Sequence, residues 1–170
     1  MGFYQRFATG AEAGLMAGAG VILLFLFQDA LHLEPLATPS ALATGFFGPA
    51  GYRYDTDVLA RAAGMAAMGA RLVSYTLLHF LTFAAVGVVA GFALRGSSWL
   101  GSLLGGALFG ATFCTGVFYA ARWIMDAPVH LDAVGFPGIV VANVVAGVIL
   151  GGGLYVARAS DGEPEAVSGG

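Results

Sequence analysis

Asp29, Arg71, His79, Arg122 and Asp126 stand within or beside long apolar runs. An ionised side chain is costly in such surroundings, so each is a site hypothesis until a partner is found for it. Their spacing groups them. Gly14, Gly18, Ile22, Phe25, Asp29 and His32 follow the three-to-four spacing of one helical face. Arg71, Tyr75 and His79 are four apart and fall within roughly 80° of arc. Thr112, Thr115, Tyr119, Arg122 and Asp126 share a third face, with His130 and Asp132 just beyond it.

Four chemistries fit these residue types. The first is structural: Asp29 and Asp126 pair with Arg71 and Arg122, two acids against two arginines. Leaving one partner buried alone costs several kcal/mol, so burial forces such pairing. The second is a metal site. Asp29 with His32, and Asp126 with His130, each place a carboxylate and an imidazole on one helical face, a donor set that suits zinc or copper. The nearby arginines oppose a cation there. The third is a pigment held by His79, which lies about 12 Å along its helix from Arg71. His32 and His130 sit too near the surface to supply a second axial ligand. The fourth is a proton or ion route lined by Asp29, Arg71, His79, Arg122 and Asp126 in an oligomer. Cys114 is the single cysteine, so no intrachain disulfide forms, and in its apolar run it reads as a small hydrophobe. No nucleophile beside a base is apparent, which argues against covalent catalysis and against an enzyme.

The elements that must position these residues follow from composition. Hydrophobic residues make up 58% of the 170, glycine another 27 positions, and charged residues only 10%. Soluble domains carry about 25% charge. Disorder, nucleic-acid binding and an ordinary soluble enzyme are excluded. All seven basic residues are Arg, none is Lys, and no basic cluster exists to hold anionic lipid. The partner implied is the lipid bilayer.

Four runs are long enough to cross it as helices, at about 13–33, 70–94, 97–124 and 134–157. Alternating ten-residue strands are absent, so a barrel is excluded. The expected fold is all-α: a four-helix transmembrane bundle in a single domain over 1–158, with a disordered acidic tail at 159–170. The first run is read as an uncleaved span, because Asp29, His32, Glu34 and Pro35 separate it from Ala41-Leu42-Ala43. Residues 34–69 form a long connection between the first two spans. Its prolines, glycines and aromatic residues suit the membrane interface. Thr38-Pro39 reads as a helix cap followed by Pro at the first helical position. Asp55-Thr56-Asp57 reads as the start of an extension of the second span.

Small residues recur every four positions inside the spans: Gly10, Gly14 and Gly18; Gly87 and Gly91; Ser102, Gly106 and Gly110; Asn143, Gly147 and Gly151. This spacing lets helix backbones approach closely, within the chain or against partner proteins. No nucleotide-binding fingerprint is present. Gly135-Phe136-Pro137 and Val141-Ala142-Asn143 resemble the asparagine-bearing helix of small fluoride channels over barely a dozen residues. The helix with phenylalanine and threonine that comes next in those channels has no counterpart here. Thr112-Phe113 and Thr115 precede Asn143 instead, so the likeness stays local.

The expected function is a small non-catalytic accessory or scaffolding subunit of a larger bacterial membrane complex, respiratory or photosynthetic, packed against other subunits or itself. The alternative is an oligomeric channel or transporter. An even number of spans puts both termini on one side. The cytoplasmic side is favoured, because Asp29, Glu34, Asp55, Asp57, Asp126 and Asp132 then face outward.

Overall fold

The computed structural model describes residues 2–48, 58–94, 98–124 and 135–160. Among the described residues there are six α-helices, one π-helical turn and no strand. The helices are α1 (Phe3–Leu31), α2 (Ala37–Phe47), α3 (Val58–Ala93), α4 (Trp99–Phe109), α5 (Thr115–Ile124) and α6 (Gly135–Ser160), with the π turn at Gly110–Cys114. Four stretches are long and apolar enough to span a membrane: α1, α3, α6, and α4 through α5 as Trp99–Ile124. The chain is an all-α, multi-pass membrane protein built as a four-helix bundle.

Several boundaries differ from expectation. α1 starts at Phe3, well before position 13, because Gly10 already packs on α3 and extends the helix–helix contact toward the N-terminus. It ends at Leu31, ahead of Leu33, which takes the left-handed conformation at φ 57°. Pro35 comes soon after and disfavours helix at the residue before it. The connection 34–69 holds a complete helix, α2, as well as the first turns of α3. Thr38 is not the cap of α2. Leu36, at φ 68°, occupies that place, and Pro39 sits within the first turn, where a missing N–H is tolerated. α6 runs on to Ser160, into the expected tail. The rest of that tail, Asp55-Thr56-Asp57, and the segment with Asp126, His130 and Asp132 lie outside the described residues.

The long helices lie side by side in the order α3, α1, α6, α4–α5. Two glycine seams bind the outer pairs. On the α1–α3 side, an added Cβ at Gly14 would fall on the Phe83 carbonyl, and one at Gly87 on the Gly10 carbonyl. On the α4–α6 side the same device recurs. Gly106 and Gly147 each abut the other's carbonyl, Gly110 abuts the Asn143 carbonyl, and Gly151 that of Ser102. Gly18 meets the Phe83 side chain, and Gly91 lies against the Arg6 carbonyl. The central α1–α6 contact mixes alanines with larger apolar side chains. Ala13, Ala17, Val21 and Phe25 meet Ala142, Ala146, Leu150 and Leu154 in one buried cluster. Lipid tails are as apolar as these side chains, so association rests on close packing rather than on exclusion of water.

The third span is not one uninterrupted α-helix. Thr115 Oγ1 donates to the Gly110 carbonyl five residues earlier (3.3 Å), stabilising the π turn. The extra residue rotates the helix beyond it. Thr112 is exposed while Thr115 is buried, so the expected common face from Thr112 to Arg122 is broken.

The seams make a direct prediction. Gly147→Ala puts a methyl onto the Gly106 carbonyl and within 2.9 Å of the Gly110 nitrogen. It should cost about 1–3 kcal/mol, read as a lower unfolding midpoint in detergent. Gly116→Ala, with nothing within 4 Å of the new carbon, should be neutral or gain up to about 1 kcal/mol. Equal behaviour of the two variants would refute the seam.

Candidate functional site

The polar residues of the α1–α2–α3 end are organised around α2. Asp29 is buried, with 5% of its surface exposed. Its Oδ2 accepts from the Thr38 backbone N–H (2.9 Å) and its Oδ1 from the Thr38 hydroxyl (2.6 Å). The carboxylate thus satisfies an amide in the first turn of α2, where helical N–H groups have no partner of their own. Its own backbone carbonyl accepts from the amides of His32 (3.2 Å) and Glu34 (3.0 Å), which holds the turn leading into α2. Two non-glycine residues in that turn, Leu33 and Leu36, have positive φ. Each such residue costs roughly 1–2 kcal/mol, and the Asp29 contacts offset it.

Arg71 takes the other end of the same helix. Its Nη1 donates to the Gly48 carbonyl at 2.7 Å. Gly48 closes α2 at φ 77° and ψ 170°, a region open essentially to glycine alone. A negative group at the start of α2 and a positive one at its end both complement the helix dipole. The expected Asp29–Arg71 ion pair is therefore not formed. The two residues engage opposite ends of α2 because its end groups need partners and lie between them.

The other expected arrangements are also divided. The His32 ring is exposed past the end of α1, and its Nδ1 donates back to the Gln28 carbonyl at 2.8 Å. It does not join Asp29 on a common face, and both Asp29 oxygens already face Thr38. No group of metal ligands occurs among the described residues. Asp126 and His130, the other proposed ligands, lie outside them. Arg122 stands over the Tyr119 ring at 5.8 Å from its centroid. Its proposed partner Asp126 is outside the described residues, and Arg122 is distant in sequence from the α2 clamp. Asn143 donates through Nδ2 to Thr115 Oγ1 (3.3 Å), so its amide ties α6 to the π turn.

The strongest concentration of unassigned polar chemistry is Tyr75 and His79 on α3. His79 Nε2 lies 3.0 Å from the Gly18 carbonyl. A carbonyl only accepts, so Nε2 carries the proton, and in the neutral ring Nδ1 is left as an acceptor. The imidazole is packed among aromatic rings, with the centroid of Phe83 at 4.7 Å, Phe80 at 5.7 Å and Tyr75 at 6.0 Å. Phe46 of α2 reaches the Tyr75 ring at 5.9 Å. Two clefts flank this pair. One, of about 140 Å³, is bounded by Phe46, Tyr75, His79, Phe83, Phe118 and Asn143, among others. The other, of about 180 Å³, lies toward Phe25, Pro39 and Leu42. A volume of about 150 Å³ accommodates a benzene ring. Each cleft is nearer in size to a single ring than to the four-pyrrole macrocycle expected at His79.

Three functional placements escape sequence reasoning. Thr38 reads as a cap of its own helix rather than a ligand of Asp29. Arg158 reads as a flanking charge. It donates to the Leu94 carbonyl (2.9 Å) and the Ser102 hydroxyl (3.1 Å), closing the end of α3 onto α4. Phe46 reads as an interfacial ring, and only the docking of α2 brings it to Tyr75. A lone basic residue at the end of an uncharged span is a visible signal for Arg158. Nothing local marks Phe46.

The Asp29–Thr38 contact is testable by a double-mutant cycle. Asp29→Ala and Thr38→Val, measured singly and together by unfolding in detergent, should show a coupling of about 1.5–3 kcal/mol, as expected for hydrogen bonds to a charged group. Purely additive effects would contradict the contact. Comparison of the chain with protein-family models, with curated proteins and with solved structures found no match.

Proposed function

We propose that this chain is a small non-catalytic accessory or scaffolding subunit of a larger membrane complex in the bacterial inner membrane, with both termini cytoplasmic. The observation that supports this reading is the first third of α3. With 36 residues α3 is the longest helix described. At 1.5 Å per residue it extends about 54 Å, against a hydrocarbon core of about 30 Å. Between Val58 and Ala70 none of its residues is buried. Val58 is 75% exposed and Met65 64%. The segment is rich in Ala, Gly and Met with Arg61 as its one charge. A helix apolar all round is one that lipid or another protein covers. Small residues admit a partner backbone, and methionine adapts to its shape.

Arg6 and Arg158 flank the end that carries the termini, and the acids Asp29 and Glu34 lie at the other. Arg61 and Arg71 also lie at that other end, so arginine count alone decides little. The abundance of Gly, Ala and Arg without Lys suits a GC-rich bacterial genome.

The test is affinity purification of the tagged chain from its native membrane in mild detergent, followed by mass spectrometry. Stoichiometric recovery of larger membrane subunits is expected. Ala63→Trp and Ala67→Trp on the exposed part of α3 should reduce that recovery at least about tenfold, the effect expected when one residue of a packed interface is displaced, with the bundle's unfolding midpoint unchanged. Recovery of the chain alone as a homo-oligomer would overturn the proposal and favour a channel or transporter.

A further inference from the structure

The cleft beside His79 has features that specify a ligand. It lies between α3 and α5, two helices with no substantial contact between them among the described residues. Its walls include the rings of Phe46, Phe83 and Phe118. Flat rings pack well against such walls in offset or edge-on geometry. Among the described residues no charged side chain lines it, which disfavours a phosphate or carboxylate head.

Its polar side chains are Tyr75, His79, Thr82 and Asn143. The Tyr75 hydroxyl and His79 Nδ1 have no hydrogen-bond partner among the described residues. Both residues line this cleft as well as the one toward Phe25. The hydroxyl can donate. Nδ1 can only accept while the Gly18 carbonyl holds the proton on Nε2.

We propose that this cleft binds the ring of a membrane-dissolved benzoquinol with a long apolar tail, and prefers the quinol to the quinone. One ring oxygen accepts from Tyr75, the hydroxyl of the other donates to His79 Nδ1, and the tail leaves between α3 and α5. The cleft's size, close to that of a cavity that holds benzene, limits the head to one six-membered ring. The preference follows from the imidazole. A quinone offers only acceptors, so it leaves Nδ1 unanswered, whereas a quinol supplies the missing donor. Binding alone is proposed, with no electron transfer. It is independent of the accessory-subunit reading, since a scaffold and a channel could each hold such a lipid.

The experiment uses the full chain in nanodiscs under anaerobic conditions. The probes are a benzoquinol carrying a ten-carbon tail and the matching quinone, measured by equilibrium dialysis against protein-free nanodiscs. Saturable binding of one quinol per chain is expected, about five- to tenfold tighter than the quinone, as one net hydrogen bond allows. Tyr75→Phe should weaken both forms by a similar factor. Val117→Trp, which fills the cleft from α5, should abolish saturable binding without loss of the folded bundle. Partition equal to that of protein-free nanodiscs would overturn the proposal. So would undiminished binding in Val117→Trp, or equal affinity for quinol and quinone.

Discussion

A helix that ends near or within a membrane leaves amides and carbonyls that lipid cannot satisfy. This chain answers that constraint with its few charged side chains. Asp29 meets the start of α2 through Thr38, Arg71 meets its end at Gly48, and Arg158 meets the carbonyl of Leu94 after α3. Among the described residues, each of these charges meets a backbone dipole of complementary sign rather than an opposite charge. An acid and an arginine that numerical balance would pair are thereby kept apart, with an eleven-residue helix between them.

The placement of α2 has consequences for the rest of that end of the bundle. Docked between Asp29 and Arg71, it carries Phe46 onto Tyr75 and Leu42 into the core. Below it the α1–α3 seam brings Gly18 close enough for its carbonyl to accept a hydrogen bond from His79 Nε2. The seam therefore does more than pack two helices. It fixes which imidazole nitrogen faces the cleft. On the far side, the π turn and the Asn143–Thr115 bond set where α5 stands relative to α3. Two tightly packed helix pairs with a gap at one end result from close glycine contacts in both.

The spans and the membrane class were legible because they depend on composition and length, which sequence carries directly. The small-residue spacing was visible too, though not which stripe meets which. That depends on helix order, and Gly106 reads the same whether it faces α6 or a partner. The α2 clamp was not legible. Asp29 and Thr38 are nine residues apart across a turn with two left-handed leucines, which propensity disfavours. The π turn was hidden for a similar reason. No proline or polar run marks Gly110–Cys114, and the Asn143 carbonyl against which Gly110 packs lies on a different helix. Tyr75 and His79 were recognisable as neighbours, but the acceptor character of Nδ1 required knowing that Gly18 lies opposite.

The central claim is that Asp29 and Arg71 hold α2 at its two ends. Hydrogen–deuterium exchange on the purified chain tests it most directly, comparing the parent with Asp29→Asn and Arg71→Met. Both substitutions should lower protection in peptides covering 38–47 by about tenfold or more, as removing one charge-assisted hydrogen bond from a locally opening helix requires. Peptides from the α1–α3 seam should stay protected. Unchanged α2 protection, with the deprotection instead spread along α1 and α3, would mean that the two residues join those helices to each other and would contradict the account.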